Sequence, residues 1–285
     1  MFSFFRSRSR LPLLNSVKEE GTLHGLLNVA IRTDTGNVRI HNEDAAVFVY
    51  PDAADVLKTR GVLLLLADGM GGHNSGEVAS RMATERIAEG YYKGSKEVLN
   101  SISRAFESAN RAILAESRAH EQHSGMGTTC TALVIQDGRI YAGHIGDSRA
   151  YILKNGVLQQ LTTDHTLVNS LVAEGKIEAG EAATHPQRNV LLKALGIEKK
   201  VEPEIKDTGF QLAVGDKLML CSDGLYEYFD HEELREYCSV KIPPAVLAGQ
   251  LVETAKQRGG HDNITVLVAG AVTGVPETKE NDYDR

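Results

Sequence analysis

Short runs of apolar residues, bounded by polar turns, mark the first third of the chain. The runs Leu27–Thr33, Ala45–Tyr50 and Val62–Ala67 have the length and bounds of β-strands. Two longer segments then carry apolar residues at helical spacing, over Glu77–Tyr91 and over 98–113. The pattern therefore predicts three strands followed by two amphipathic helices.

The rest of the chain repeats this order of strands first and helices afterwards. The dipeptides Asp137-Gly138 and Asn155-Gly156 separate short apolar runs and are typical of tight turns between antiparallel strands. A mixed helical stretch over 166–195 follows. The predicted strands here are Thr129–Gln136, Arg139–Ile145, Arg149–Leu153, Val157–Leu161, 202–209, 217–222 and Asn263–Ala271, with a further helix over 244–257.

Blocks of strands and helices, without strict alternation, indicate an α+β fold. Each helix pair needs a sheet face on which to bury its apolar stripe. We therefore expect a four-layer α-β-β-α sandwich, in which two antiparallel sheets lie face to face and helices flank them. No linker-like segment divides the chain, so the prediction is one domain over 25–272, between flexible tails at 1–24 and 273–285.

Composition narrows the class of protein. Hydrophobic residues make up 42% and charged residues 24% of the 285 residues, which is ordinary for a globular protein. The formal net charge of −7 argues against a general nucleic-acid binder. The three cysteines are too few for a disulfide framework, no apolar run is long enough to span a membrane, and the basic N-terminus lacks the apolar stretch of a signal peptide. We expect a cytoplasmic protein without stable membrane insertion.

Acidic residues recur at the ends of predicted strands. Asp68, Asp147 and Asp223 follow apolar strands, Asp262 precedes the last strand, and Glu43-Asp44 precedes another. A single Asp-Gly pair is most simply a turn. A converging set of carboxylates, in contrast, resists ionisation unless cations are bound, and all-oxygen ligands favour Mg²⁺ or Mn²⁺ over zinc.

At these positions the sequence resembles the metal-dependent protein serine/threonine phosphatases of the PP2C type, in their bacterial form. The matching motifs stand in the family's order from about residue 28 to 270. They are Arg39-x-x-Asn42-Glu43-Asp44, Ala67-Asp68-Gly69-Met70-Gly71-Gly72-His73, Gly127-Thr128-Thr129, Gly146-Asp147-Ser148-Arg149, Leu161-Thr-x-Asp164-His165, His185-Pro186-x-Arg188-Asn189-Val190, Ser222-Asp223-Gly224 and Asp262-Asn263-Ile264-Thr265. The β-sandwich of that family agrees with the block pattern.

The resemblance implies a set of metal ligands. It assigns Asp68 as the carboxylate that bridges two Mn²⁺ or Mg²⁺ ions, with the Gly69 carbonyl on one of them. Asp223 and Asp262 are the other direct protein ligands. Asp147, together with Asp223, matches the site of a third, weaker metal.

The resemblance also implies supporting and catalytic roles. Glu43 and Asp44 would hold metal-bound waters, and Asn263 would support the ligands from outside. Arg39 matches the residue that binds the substrate phosphate, for which its planar fork is suited. The expected catalytic residues are thus Arg39, Asp44 and Asp68.

The implied activity is hydrolysis of phosphoserine and phosphothreonine in proteins, by direct attack of a hydroxide that bridges the two metals. A bacterial serine/threonine kinase and its targets are the implied partners, in signal transduction. In the eukaryotic pattern a histidine follows the first Asp-Gly, whereas Met70 stands there in this chain. The proton for the leaving alkoxide would then come from His73 or from a metal-bound water. Residues 165–190 fall where the family carries a flap beside the active site. This segment either helps to select phosphoprotein substrates or is a surface insertion without such a role, and the sequence leaves both open.

Other classes fit the sequence less well. A cysteine-dependent phosphatase needs an arginine six residues after the cysteine, and Gln136, Glu227 and Pro244 stand there instead. The surroundings of Ser148 lack the second glycine of a nucleophile elbow. The open alternatives are a catalytically weak homologue that acts as a phosphoprotein-binding regulatory module, and a phosphatase tuned to one anti-sigma-type regulator.

Overall fold

The structure, a computed structural model, describes residues 20–23, 27–71, 75–95 and 97–271. Its strands follow one another in antiparallel blocks. They are β1 (Glu20–Leu23), β2 (Leu27–Asp34), β3 (Asp44–Val49), β4 (Val62–Met70), β5 (Gly127–Thr128), β6 (Cys130–Gln136), β7 (Arg139–Ile145), β8 (Arg149–Lys154), β9 (Val157–Gln160), β10 (Glu204–Gln211), β11 (Lys217–Cys221) and β12 (Ile264–Ala271).

The helices lie between these blocks. They are α1 (Ala54–Arg60), α2 (Ser75–Lys93), α3 (Val98–Ala119), α4 (Leu167–Ala173), α5 (Ala179–Ala182), α6 (Asp223–Tyr226), α7 (His231–Ser239) and α8 (Pro244–Gln257). A single turn of 3-10 helix, Glu121–His123, follows α3. Among the described residues, no helix combines the length and apolarity that a membrane span requires.

The strands form two antiparallel sheets. The first sheet has the order β1-β2-β12-β11-β8-β9, and the second has the order β10-β7-β6-β4-β3, with the short β5 beside β4. The two sheets pack face to face, α2 and α3 cover the second sheet, and α7 and α8 cover the first. The predicted four-layer α-β-β-α sandwich is therefore confirmed.

Strand β4 shows why its sequence is apolar throughout. Leu64 and Leu66 point into the core between the sheets, whereas Leu63 and Leu65 point into the core under α2 and α3. All four side chains are essentially inaccessible to solvent. A strand that is buried on both faces loses the usual alternation of apolar and polar residues, so the run of four leucines marks the centre of the molecule.

Both predicted hairpin turns are present. Asp137 and Gly138 have φ values of 49° and 77°, and Asn155 and Gly156 have 53° and 77°. Two successive residues with positive φ are the signature of a type I′ turn, whose twist matches that of the flanking strands. The β6–β7 and β8–β9 pairs that these turns join are antiparallel.

Some elements differ from the predictions. Helices α1, α6 and α7 were not predicted, because α6 has only four residues, α1 buries only Arg60, and the few apolar residues of α7 stand among charged ones. Strand β1 lies inside the range 1–24 that was predicted as a tail, and it pairs with β2. The rest of that predicted tail, residues 1–19 and 24, and the tail at 273–285 lie outside the described residues.

Candidate active site

Acidic residues from both sheets meet at one end of the sandwich. Asp44 begins β3 and lies opposite Asp68 of β4 in the strand register. Asp147 lies in the turn between β7 and β8, Asp223 follows β11, and Asp262 lies two residues before β12. Burial raises the pKa of Asp68, and the negative charges of the other four carboxylates add to it, so each of them lies within electrostatic reach of Asp68.

Asp68 is held in place through its backbone. Its amide donates to Thr129 Oγ1 at 3.0 Å, and its carbonyl accepts from the Thr129 amide at 2.9 Å and from Thr128 Oγ1 at 2.8 Å. The Thr129 hydroxyl also lies 2.8 Å from Ser148 Oγ, beside Asp147. None of these bonds uses the carboxylate of Asp68, which is therefore free to interact with Asp223.

Asp44 is fixed by one of its two carboxylate oxygens. Ser222 Oγ, from the first sheet, donates to Asp44 Oδ2 at 2.8 Å. The buried Oδ1 has no hydrogen-bond partner within the described part of the chain. Burial, reinforced by the charges of Asp223 and Asp262, raises the pKa of Asp44 to about 7.

The pKa values of the neighbouring carboxyl groups are also raised. Burial is the largest cause in each case, and negative neighbours add to it. The pKa of Asp223 is raised to about 6, with Asp262 as the main charged neighbour, and that of Asp147 to about 8, with Asp223 as the main one. The pKa of Asp68 is raised well above its usual value. Ionising all of them near neutral pH requires positive charge from outside the cluster.

This donor set fits divalent cations. The cluster offers carboxylate oxygens, one of them a buried acceptor without a partner, and it is desolvated and self-repelling. Hard cations with oxygen ligands, Mg²⁺ or Mn²⁺, satisfy such a site, whereas zinc prefers nitrogen and sulfur. The assignment of Asp68, Asp147, Asp223 and Asp262 as the ligands of such cations stays a prediction.

Arg39 reaches the same group from the loop before β3. Its Nη2 lies 2.7 Å from Asp262 Oδ2, while more than half of its side chain stays exposed. Asn263 braces this loop, because its Oδ1 accepts from the Glu43 amide at 2.7 Å and its Nδ2 donates to the Thr35 and His41 carbonyls. The backbone amide of Asn263 also donates to Asp262 Oδ1 at 2.8 Å. Asn263 therefore lies between Glu43 and Asp262, where a supporting residue was predicted.

Two glycines make room for Glu43. A Cβ on Gly76 would lie 2.6 to 2.8 Å from the carboxylate atoms of Glu43, and a Cβ on Gly69 would lie 2.1 Å from the Gly76 carbonyl. The backbones after Asp68 and at the start of α2 therefore touch. Burial raises the pKa of Glu43, although a backbone hydrogen bond from Gly76 opposes that rise.

A cleft of about 820 Å³ opens beside Asp147. Helices α4 and α5, in the segment 165–190 predicted as a flap, form one wall, and the chain around Tyr226 forms another. Arg149 stabilises this wall by donating to both oxygens of Asp164, with Nη2 2.7 Å from Oδ2, and by stacking 3.6 Å from the Tyr226 ring. The flap segment thus adjoins the acidic cluster.

The sequence did not single out the residues that hold the carboxylates. Ser222, Thr129 and Ser148 stand inside the quoted motifs, yet their hydrogen bonds to the cluster depend on contacts across the fold. Met70 ends β4 and lines a cleft with Leu191 and Leu192, a cleft that also has charged residues such as Lys193 and Glu198 in its wall. Its thioether has no proton to donate. His73 lies outside the described residues.

Comparison with known proteins gives a consistent result. The sequence profile of the family described as Protein phosphatase 2C matches residues 39–243. The chain is 36% identical to the Serine/threonine phosphatase stp of Listeria monocytogenes over 248 residues, which cover 85% of this chain and 95% of that protein. It is 41% identical to the Serine/threonine protein phosphatase PstP of Mycobacterium tuberculosis over 249 residues, which cover 87% of this chain but 45% of that longer protein.

A solved structure shares the fold. The crystal structure of the catalytic domain of PstP, determined in complex with two manganese ions, superposes with a TM-score of 0.73 at 38% sequence identity. The match covers 87% of this chain and 99% of that domain. The similarity therefore extends through both sheets and the flanking helices.

Proposed function

Because the chain belongs to the Protein phosphatase 2C family, we propose that it is a metal-dependent phosphatase of phosphoserine and phosphothreonine in proteins. Its relatives in Listeria and Mycobacterium are named serine/threonine phosphatases, at identities of 36% and 41% over most of this chain. The enzyme uses Mn²⁺ or Mg²⁺, as the manganese-bound PstP domain indicates.

The observation that supports this function best is the self-repelling carboxylate cluster. Asp44, Asp68, Asp147 and Asp223 all have raised pKa values because they are buried beside one another. A protein does not gain stability from such a group without cations. Bound divalent cations lower the pKa of water and offset the charge of a phosphoryl group.

The proposed ligands are Asp68, the Gly69 carbonyl, Asp223 and Asp262, with Asp147 and Asp223 at a third, weaker site. Support comes from the place where each residue lies. Asp68 belongs to the second sheet, and Asp223 and Asp262 flank strands of the first, so cations held by these residues would draw on both sheets.

The chain's other polar groups act on water and on the phosphate. Asp44 is oriented by Ser222, and its unpartnered Oδ1 accepts a hydrogen bond from the attacking water. Glu43 holds further water beside Gly76. Arg39 releases Asp262 and binds two oxygens of the substrate phosphate with its fork, which stabilises the charge of the transferring group.

The proposed partners follow from the reaction. Phosphorylated proteins are the substrates, a serine/threonine protein kinase is the opposing enzyme, and the protein acts in the cytoplasm. The cleft beside Asp147 receives the chain around the phosphorylated residue, with the flap as one wall. The phosphatase domain spans 25–272, and strand β1 extends it at the N-terminal side.

Phosphate release from a phosphothreonine peptide in the presence of Mn²⁺ tests the function. We expect turnover by the wild type and by Asp207→Asn, a control carboxylate on β10 that pairs with Arg139. Asp68→Asn should lose activity by at least about 100-fold, since one removed electrostatic contact to the reacting group is worth 10²–10³-fold.

Two outcomes would overturn the proposal. Wild-type protein that binds the phosphopeptide without releasing phosphate would be a binding module. Hydrolysis of a phosphotyrosine peptide without hydrolysis of the phosphothreonine peptide would place the protein in another class of phosphatase.

A further inference from the structure

A second cluster of ligand-type side chains lies at the end of α3. Glu116 is in the last turn of the helix, His120 follows the helix, and His123 ends the 3-10 turn. One ligand atom from each lies within 4.8 Å of the other two. This cluster is independent of the acidic site, since it contains none of the carboxylates described above.

The three side chains already converge on one point. Glu116 Oε1 lies 2.8 Å from His120 Nδ1 and 2.9 Å from His123 Nδ1. The two imidazoles share this one carboxylate oxygen through their Nδ1 atoms, and His123 Nε2 also lies 3.4 Å from Nε2 of the Gln122 amide. In a tetrahedral zinc site with ligands about 2.0–2.1 Å from the metal, neighbouring ligand atoms are about 3.3 Å apart. To hold a zinc ion, the two distances from Glu116 Oε1 would lengthen by about half an ångström, and the two imidazole nitrogens, which lie within 4.8 Å of each other, would take the same spacing.

The ligand types identify the class of metal. Two imidazoles and one carboxylate are one of the sets of three protein ligands that bind zinc with a water in the fourth position. Mg²⁺ and Ca²⁺ prefer all-oxygen sites, so they discriminate against this cluster. The exposure of the His120 side chain, at 53%, leaves a path for the metal and for a water ligand.

We propose that Glu116, His120 and His123 form a zinc-binding site that joins the end of α3 to the 3-10 turn. The segment after this site leads directly to the acidic cluster. The Met126 amide donates to the His123 carbonyl, and β5 begins at Gly127 and pairs with Gly69 and Met70 of β4. The Ser75 hydroxyl of α2 also donates to the Gln122 carbonyl, at 3.4 Å. Zinc at this site stabilises the turn on which β5 rests.

Isothermal titration of the full chain with Zn²⁺, in excess Mg²⁺ to occupy the oxygen-rich site, tests the proposal. Wild type should bind one equivalent more than Glu116→Gln. The matched control is Glu107→Gln, the same substitution on the same helix at a residue that faces Arg111. It should bind like wild type. Loss of a ligand should weaken this binding by more than about 100-fold, because loss of an outer partner alone brings 10–100-fold.

Hydrogen exchange provides a second readout. Zn²⁺ should slow exchange of the Met126 amide in wild type and in Glu107→Gln, and leave it unchanged in Glu116→Gln. His123→Ala serves as the second ligand variant if Glu116→Gln melts below wild type in chelator. Equal zinc binding by wild type and both ligand variants would overturn the proposal, and so would the absence of an additional equivalent in wild type.

Discussion

Single residues at the acidic site differ mainly in what surrounds them. Asp44 and Asp68 face each other on neighbouring strands, where like charges are destabilising. Ser222 satisfies one oxygen of Asp44, and threonine side chains fix the backbone of Asp68. Both carboxyl groups keep raised pKa values, because these partners do not replace the lost solvation.

Replacing Asp44 by Asn should change how stability depends on pH in the metal-free protein. The pKa of Asp44 is near 7 in the folded chain and 3.8 without perturbation, so its stabilising contribution is complete below about pH 4 and is lost as pH rises through 7. Burial lowers the pKa of His144 to about 3, so the stabilising effect of its neutral form is complete above its unperturbed value of 6.5. His144 is present in both proteins, so between about pH 4 and 7 the melting temperature of wild type in EDTA should fall relative to that of Asp44→Asn, and the difference should level off above pH 7. Parallel curves would contradict this.

Arg39→Ala should lower kcat/KM on a phosphothreonine peptide by about 10–100-fold, the equivalent of one charge-assisted hydrogen-bonded contact of 1.5–3 kcal/mol. Arg39→Lys should recover only part of the loss, because an ammonium group cannot bind two phosphate oxygens with a fixed fork. Unchanged kcat/KM in Arg39→Ala would remove this residue from the proposed mechanism. Mn²⁺ affinity, measured in parallel, separates loss of phosphate binding from disturbance of Asp262.

At the scale of strands and helices, backbone contact between β4 and α2 shapes the site. Gly69 and Gly76 leave no space for a Cβ, and that space is occupied by backbone and by Glu43. The acidic site therefore depends on how closely two elements approach, as well as on its carboxylates.

Gly69→Ala should destabilise the protein by about 1–3 kcal/mol, the range for overpacking a filled site. Its new Cβ would meet the backbone carbonyl oxygen of Gly76 at 2.1 Å, and a backbone atom cannot rotate aside as a side chain can. Gly249→Ala is the matched control, since nothing lies within 4 Å of its Cβ position in α8. That variant should gain about 0.5–1 kcal/mol, because alanine is favoured over glycine inside a helix. Denaturant unfolding of both variants measures the difference, and equal effects would refute the packing argument.

An element could be predicted from the sequence when it buries a clear apolar face. Strands and helices with a clear apolar face were predicted within a few residues, as for α8 and β7. Helices α1, α6 and α7 were missed, because α1 covers little of the core, α6 has only four residues and α7 is rich in charged residues. At the site, motifs located the acidic residues, whereas the pairing of Ser222 with Asp44 across 178 positions needed the folded chain.

At the scale of the whole molecule, the acidic site joins the two sheets. Asp44 and Asp68 lie on the second sheet, and Asp223 and Asp262 lie beside strands of the first. Repulsion among them opposes the packing of this end of the sandwich, and in the proposed assignment cations held by them relieve it. We therefore expect binding of Mn²⁺ to be coupled to the stability of the entire fold.

Mn²⁺ should raise the melting temperature of the wild type. A ligand at 100 times its Kd contributes about 2.7 kcal/mol, or about 5–10 °C for a domain of this size. Asp223→Asn should show a much smaller rise, and Asp207→Asn should behave as wild type. An equal rise in Asp223→Asn would show that Mn²⁺ binds elsewhere.

The dependence of phosphothreonine-peptide hydrolysis on free Mn²⁺ tests the central claim most directly. We expect wild-type activity to disappear in EDTA, to return with the same Mn²⁺ dependence as Mn²⁺ binding, and to be lost in Asp223→Asn at every Mn²⁺ concentration. Activity that survives both EDTA and Asp223→Asn would contradict the assignment of the reaction to cations held by this carboxylate cluster.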